Sequence, residues 1–244
     1  MRFSRWKKYL QYRSTVLSLL LPERCIHCDE PTAFSRNNHE DAFQLTHYLC
    51  KVCYRTTQHY DGPDEPTIRH QFALAASELP IAHHIGAYSF VVESPIQSII
   101  HAFKYLRMQR LAEGLGQSIS TLLPKRLDYI IPVPLHRTRL AERGYNQAES
   151  LAEGLAHTST ATVLRATKRI RPTPSQTFLS IPERIANMEG AFALTRHADV
   201  IKNKDVLIVD DVMTTGSTIA SVAETVLAAK PKSISVLTMA IAAG

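Results

Sequence analysis

The stretch VLIVDDVMTTGST, residues 206–218, joins an apolar strand pattern, two adjacent carboxylates and a run of small hydroxyl residues around one glycine. The neighbouring acids Asp210 and Asp211 repel each other, and both lose hydration at the end of an apolar strand. A helix pattern follows directly, so backbone N–H groups and a helix N-terminus are expected to point at one anion. The stretch therefore predicts a ligand site at a strand–loop–helix junction.

The small residues after the acids are typical of a monophosphate site. Gly216 permits a positive φ or a close backbone approach. Hydroxyl donors flank it on both sides, namely Thr214, Thr215, Ser217 and Thr218. The two carboxylates are poor partners for phosphate but good acceptors for two vicinal hydroxyls. A phosphate beside a diol describes a ribose 5-phosphate, and this is the predicted ligand.

Other classes of site explain the stretch less well. A nucleoside-triphosphate loop needs GxxxxGK[ST] and a dinucleotide fold needs an early GxGxxG, and neither string occurs. A receiver domain also places paired acids at a strand end, but only 33 residues follow Asp211, too few for the strands it still requires. An ordinary strand end before a helix cap explains one carboxylate, but not two followed by TTGST.

Length and charge narrow the function classes. The 244 residues suffice for one core plus a small satellite module, with no repeat and no low-complexity tract. The formal net charge is +6, but residues 1–24 carry six basic residues against Glu23 alone and so account for five of those units. The other 220 residues are nearly neutral. The main domain therefore does not require a nucleic-acid surface.

The N-terminal segment MRFSRWKKYLQYRSTVLSLLLP has a basic start and a short apolar run, Val16 to Leu21. The run is too short for a membrane span, and no small-residue cleavage pattern follows it. We expect a basic amphipathic helix that covers the next module. The alternative is an arm that touches an anionic backbone. The chain is predicted to be cytoplasmic.

All four cysteines fall in two CxxC pairs separated by 21 residues. This spacing lets four thiolates surround one ion, and in a reducing cytoplasm it indicates zinc more readily than disulfides. The predicted metal ligands are Cys25, Cys28, Cys50 and Cys53. Four ligands leave no open position, so the zinc is structural. A redox pair or two disulfides fit less well, because no thioredoxin-like pattern surrounds either pair, and His27 and His47 are predicted bystanders.

The chain divides into three predicted parts: a basic helix and four-cysteine module over 1–62, a linker over 63–80 and an α/β domain over 81–244. Strands are expected at 87–92, 127–134, 161–166, 205–211 and 233–242, alternating with helices, and residues 166–190 are expected to form a long loop. This alternation predicts a parallel sheet covered on both faces. Ligands of such sheets bind at the carboxyl ends of the strands, here after Val133, Leu164 and Asp211.

These segments together resemble a known family. VLIVDDVMTTGST resembles the phosphoribosyl pyrophosphate (PRPP) signature of type I phosphoribosyltransferases. The CxxC pairs, PVPLHRTRLAERGYNQ (132–147) and PTPSQTFLSIPERIANMEGAF (172–192) resemble the ComF/GntX family in the same order. The resemblance runs from Cys25 onward. It implies a type I phosphoribosyltransferase-like parallel sheet flanked by helices, with a small N-terminal zinc module of four cysteines.

The resemblance also implies roles for individual residues. Asp210 and Asp211 would hydrogen-bond the ribose 2′ and 3′ hydroxyls, while residues 214–218 hold the 5-phosphate. The PVPL turn is similar to the family's pyrophosphate loop, whose backbone N–H groups would face the leaving group. These N–H groups belong to Leu135, His136 and Arg137. Mg²⁺ would be held mainly by the oxygens of PRPP itself.

Side chains outside the signature are also candidates. Arg139 and Arg143 would bind pyrophosphate, with Arg143 counted in the catalytic set, or would be solvated helix charges. The segment 166–190 is similar to a loop that closes over PRPP. Its matching positions are Gln176, Arg184 and Asn187. Lys104 either reaches an anionic group or remains solvated.

Two functions of different class remain open at this point. The first is Mg²⁺-dependent transfer of phosphoribose to an acceptor that residues 80–110 do not reveal. This first function would be linked to DNA uptake and natural transformation or to nucleotide metabolism. The second uses the PRPP site for sensing, or has lost it, in a binding protein of DNA uptake and natural transformation. In this second case the zinc module and basic arm would contact single-stranded DNA or a DNA-processing protein such as a helicase.

Overall fold

The structure, a computed structural model, describes residues 24–32, 45–57, 79–172 and 181–242. The helices are α1 Lys51–Arg55, α2 Pro95–Tyr105, α3 Gln109–Ser118, α4 Arg137–Arg143, α5 Gln147–His157, α6 Ile181–Met188 and α7 Ser217–Leu227. The strands are β1 Ile81–Phe90, β2 Tyr129–Pro132, β3 Thr162–Val163, β4 Thr167–Arg169, β5 Phe192–Leu194, β6 Asp205–Met213 and β7 Ser233–Ala242. The predicted N-terminal helix and the linker over 63–80 lie outside or almost outside the described residues.

Five of the strands form one parallel sheet in the order β1-β7-β6-β2-β3. The sheet is covered on both faces, as its strand sequences indicate. In β6, Leu207 and Val209 face one core with α2, α3 and α5, whereas Val206 and Ile208 face a second core with α7. The prediction of a parallel sheet flanked by helices is therefore confirmed.

The core beneath α2 and α3 also contains the cysteine module. Ile26, Leu45 and Leu49 are buried in the same cluster as Ile99 and Phe103 of α2. The module itself is short: a turn after Cys25, a 3-10 helix at Leu45–His47, and α1, whose N-cap is Cys50. Its apolar residues thus pack directly on the helix that follows β1.

Several elements differ from the sequence-based expectation. Strand β1 begins at Ile81, six residues before the predicted start, because it pairs with β7 along its length although Ala82 and His83 are exposed. Helix α4 was given no bounds by the sequence, which predicted a turn at PVPL, because the helix buries none of its residues and so shows no apolar periodicity. The predicted loop 166–190 contains β4, which pairs antiparallel with β5.

Candidate functional site

A cavity of about 560 Å³ opens at the carboxyl ends of the central strands. Asp210 and Asp211 of β6 form its floor together with the turn after β2, and α2 and α4 supply further walls. The signature residues Thr214 and Thr218 also line the cavity. Two of the three loops predicted to surround a ligand therefore meet here, while Leu164 after β3 is not part of the lining.

The acid pair is held in a defined arrangement. The backbone N–H of Asp211 donates to Oδ1 of Asp210 over 2.8 Å. Burial, and then the charge of Asp211, raises the pKa of Asp210 to about 7. Oδ2 of Asp211 lies 3.1 Å from Nζ of Lys104 on α2, so one member of the pair has a counter-ion from the facing helix. The two carboxylates thus differ in environment although they are adjacent in sequence.

The segment after the acids has the backbone of an anion cradle. Gly216 has φ 73° and is the N-cap of α7, a left-handed conformation that glycine adopts without strain. The hydroxyls of Thr215 and Ser217 are buried and lie 3.1 Å apart. Thr214 and Thr218 face the cavity. The first N–H groups of α7 have no carbonyl partner within the helix, as at the start of any α-helix.

Only part of the turn after β2 lines the cavity, although the sequence predicts that Leu135, His136 and Arg137 all contact the ligand. Leu135 lines the cavity, whereas His136 is the N-cap of α4, with Nδ1 2.9 Å from Oγ1 of Thr138. Arg137 is exposed and is not part of the lining. For His136 and Arg137, only the backbone remains a candidate for contact with a ligand.

Both arginines of α4 that the sequence singles out face the cavity. Arg143 donates from Nη1 to Oε1 of Gln147 over 2.7 Å, and its guanidinium carbon lies 5.9 Å from the centroid of the Tyr105 ring. These contacts hold Arg143 in place, which argues against a freely solvated helix charge. Arg139 faces the same space without an ion pair to any described residue.

Sequence reasoning missed several lining residues, among them Gln97, His101 and Tyr105 on α2 and Arg169 on β4. The signal for α2 was available, because Gln97, His101 and Lys104 recur at helical spacing opposite the buried isoleucines. Arg169 packs over the Phe192 ring at 5.5 Å, and it stands in a strand that the sequence predicted as loop.

The expected closing loop is described only in part. Gln176 and the side chain of Arg184 lie outside the described residues. Asn187 belongs to α6, and its carbonyl accepts a hydrogen bond of 3.1 Å from Nη2 of Arg171. The contacts of this segment with a ligand stay a prediction.

The four cysteines form a second, separate candidate site. Their sulfur atoms all lie within 4.8 Å of one another, with Cys28 Sγ 3.6 Å from Cys50 Sγ and 3.5 Å from Cys53 Sγ. A tetrahedral zinc ion with Zn–S bonds of about 2.3 Å needs sulfur–sulfur distances of about 3.8 Å. The cluster therefore fits such an ion. His27 is not needed as a ligand, since its Nδ1 lies 2.9 Å from Oγ of Ser98 on α2.

Among the described residues, none of the helices has the length and apolar character needed to cross a membrane.

Comparison with known proteins agrees with the geometry. A model of the phosphoribosyl transferase domain matches residues 140–243. Competence protein F of Haemophilus influenzae is 35% identical over 215 residues, which cover 82% of this chain and 89% of the relative. The DNA utilization protein YhgH of Shigella flexneri is 30% identical over 235 residues, covering 86% of this chain and 92% of the relative.

Other matches are shorter or more distant. The YhgH protein of Salmonella typhi is 34% identical over 143 residues, or 54% of this chain, and the chain spans only 61% of the length of that relative. A solved structure described as the allosteric regulatory enzyme of purine biosynthesis aligns with 57% of this chain and 30% of its own, at 16% identity and a TM-score of 0.41.

Proposed function

Because this chain belongs to the ComF family of the type I phosphoribosyltransferase superfamily, we propose that its cavity binds PRPP with Mg²⁺ and transfers the phosphoribosyl group to an acceptor. One observation carries the proposal: the acid pair, the start of α7 and the arginines of α4 line a single cavity. One bound PRPP molecule would therefore reach carboxylates that accept hydrogen bonds from its diol, a cradle for its phosphate and cations for its pyrophosphate.

In this proposal the carboxylates of Asp210 and Asp211 accept hydrogen bonds from the ribose 2′ and 3′ hydroxyls. The N–H groups after Gly216, with the hydroxyls of Thr214 and Thr218, donate to the 5-phosphate. Thr215 and Ser217 contribute their backbone and support the turn through their mutual hydroxyl contact. Ribose C1 is thereby fixed toward the turn after β2.

The leaving pyrophosphate faces the backbone of Leu135, His136 and Arg137 and the side chains of Arg139 and Arg143. Charge-assisted hydrogen bonds from guanidinium groups strengthen as the C1–O bond breaks and its electron pair moves to pyrophosphate. Ribose C1 becomes cationic at that moment, so orientation and exclusion of water matter more than a protein nucleophile.

Bound Mg²⁺ would neutralise part of the pyrophosphate charge. Among the described residues, the cysteine module is the only cluster of three or more metal-type ligands, so the ligands of Mg²⁺ here would be mostly oxygens of PRPP and water. At the separate site, we propose a structural zinc held by Cys25, Cys28, Cys50 and Cys53.

The names of the relatives favour a second candidate, a PRPP-sensing or binding role in DNA uptake. One relative is named a competence protein and others DNA utilization proteins. In this version the N-terminal module and basic arm contact single-stranded DNA or a DNA-processing protein. Both candidate functions bind PRPP at the same site, but only the transferase converts PRPP to a product.

Calorimetry with Mg²⁺ and PRPP tests both candidates, followed by an acceptor screen that measures released pyrophosphate. We expect binding by the wild-type protein and a loss of at least about tenfold in affinity for Asp210→Asn, because a neutral amide accepts more weakly than a carboxylate. Asp199→Asn, at an exposed acid, is the matched control. No binding at millimolar PRPP would contradict both candidates.

Pyrophosphate release with one acceptor supports the transferase, whereas binding without turnover across the screen favours the sensor.

The DNA arm is tested in the full chain by Lys7→Glu combined with Lys8→Glu. Weaker binding of single-stranded DNA with unchanged PRPP affinity would support that contact.

A further inference from the structure

Helix α2 presents two different faces to the molecule. Ile96, Ile99 and Phe103 are buried in the core, whereas Gln97, His101 and Lys104 line the cavity. Lys104 extends from this second face to Asp211, with 3.1 Å between Nζ and Oδ2. The side chains are 19% and 12% exposed, so the pair is largely shielded from water. Lys104 is therefore not a solvated surface lysine.

We propose that Lys104 is a positioning residue that favours the ionised form of the Asp210–Asp211 pair, so that both carboxylates can accept hydrogen bonds from the ribose. This inference rests on the proposed PRPP site and adds to it a residue outside the signature. Lys104 acts through Asp211 and does not touch the reacting atoms.

The physical need for such a cation follows from the position of the acids. Two neighbouring carboxylates in a shielded site disfavour each other's ionisation. Burial and the charge of Asp211 raise the pKa of Asp210 to about 7, while the hydrogen bond from the backbone N–H of Asp211, then the charge of Lys104 and then that of Arg169 act in the opposite direction. Near neutral pH the pair is thus close to taking up a proton, and loss of the Lys104 charge favours this protonation.

The other charged or titratable groups around the pair do not replace Lys104. They are Arg169 on β4, Arg139 and Arg143 on α4, Tyr145 before α5 and His101 on α2. Burial, with the Lys104 charge as a second cause, lowers the pKa of His101. His101 is therefore neutral at physiological pH. The arginines face the pyrophosphate side, where a bound ligand would engage them.

A proton on the pair changes its hydrogen bonding. A protonated carboxyl donates through its hydroxyl, so one of the two ribose hydroxyls loses its charged acceptor. Without Lys104 this protonation would occur at a higher pH. We expect the midpoint to rise by about one unit, which corresponds to a factor of about ten in the protonation equilibrium.

The main test is calorimetric titration of the full-length protein with PRPP and Mg²⁺ between pH 6 and pH 9.5. For Lys104→Met we expect affinity about fivefold weaker at pH 7 and about tenfold weaker at pH 6, with wild-type affinity within about threefold at pH 9.5. Lys104→Arg keeps the charge and should follow the wild-type profile. Lys125→Met, at an exposed lysine outside the cavity, is the matched control.

Recovery at high pH separates this role from its alternatives. A lysine that contacts PRPP directly, or that only supports the fold, leaves a loss of affinity that persists at pH 9.5, and that result would overturn the proposal. If Lys104→Met does not fold by circular dichroism, Lys104→Gln takes its place in the same pH series.

A second measurement does not require PRPP. Carbon-13 NMR of the unliganded, aspartate-labelled protein follows the carboxyl titration, and Lys104→Met should move its upper midpoint to higher pH. An unchanged midpoint contradicts the inference, even if PRPP binds. A shifted midpoint in a protein that binds no PRPP supports the role of Lys104 and contradicts the proposed function.

Discussion

The surroundings of the Asp210 side chain disfavour its ionised form. Its pKa is raised to about 7 by burial and by Asp211, whereas an unfolded chain leaves an aspartate near its ordinary value of 3.8. The folded state therefore binds a proton that the unfolded state has released between these two pH values. Stability is highest at low pH with respect to this group and is lost as pH rises through about 7. The charge of Asp210 therefore does not stabilise the fold, as the proposed ligand-binding role would lead one to expect.

Asp210→Asn should consequently stabilise the unliganded protein. At pH 8 the amide removes the unfavourable charge and keeps an oxygen for the N–H of Asp211, so we expect the free energy of unfolding to rise by about 1–3 kcal/mol. The difference should shrink as pH falls from 7 toward 3.8, because the folded protein then holds the aspartate protonated, and below 3.8 the unfolded chain does so too. Urea unfolding at several pH values measures it.

A loss of stability at pH 8 would contradict this account of Asp210. Asp199→Asn, at an exposed acid outside the cavity, should leave the unfolding midpoint unchanged. A gain in stability together with a loss of PRPP binding would identify the acid pair as a strained functional site.

At the level of elements, α3 and α5 approach each other through two glycines. A Cβ added to Gly154 would lie 1.9 Å from the carbonyl oxygen of Glu113, and one added to Gly116 would lie 2.2 Å from that of Leu151. Backbone atoms cannot move aside as the end of a flexible side chain can. Helix α5 begins at Gln147 in the cavity wall, so the close contact also fixes one side of the site.

Gly154→Ala is therefore expected to destabilise the protein, although alanine is the better helix former by up to about 1 kcal/mol. We expect a loss of about 2–4 kcal/mol, since the helices must separate and their packed side chains lose contact. Thermal or urea unfolding measures the change. Glu153→Ala, at the exposed neighbouring position, is the control for helix propensity, and a stabilised Gly154→Ala would contradict the close contact.

The long buried elements could be predicted from sequence because their apolar pattern is set by the two cores. β7 was expected at 233–242 and is found at Ser233–Ala242, and the helix expected directly after the acid-bearing stretch is α7. Helix α4 and strand β4 could not be found in this way, since short and largely exposed elements carry no apolar period.

The site, too, could be predicted only where its residues form a local pattern in the sequence. Asp210, Asp211, Thr214 and Thr218 were available from one contiguous stretch, and the structure places all four on the cavity. The ion pair between Lys104 and Asp211 joins residues more than one hundred positions apart, and no local pattern encodes such a contact.

At the scale of the whole molecule, the cysteine module and the sheet domain share a core. Leu49 of the module is fully buried in the cluster that contains Phe103 of α2. His27, between two of the cysteines, also lies 2.9 Å through Nδ1 from Oγ of Ser98 on the same helix. The candidate metal site is thus connected to the helix that carries Lys104 into the cavity.

Removal of zinc should therefore weaken both stability and ligand binding. We expect zinc removal to lower the free energy of unfolding by about 3–5 kcal/mol. The thermal unfolding temperature, measured by calorimetry, should then fall by about 10 °C, because for a protein of this size it shifts by roughly 2–4 °C per kcal/mol. After the chelator is dialysed away, affinity for PRPP with Mg²⁺ should also fall, since α2 has lost the module that packs against it. Restoring zinc should reverse both effects. The variant Ser98→Ala measures how much of the loss in stability and in affinity comes from the hydrogen bond between His27 and Ser98. If the stripped protein kept full PRPP affinity while losing stability, the module would support the fold without supporting the site.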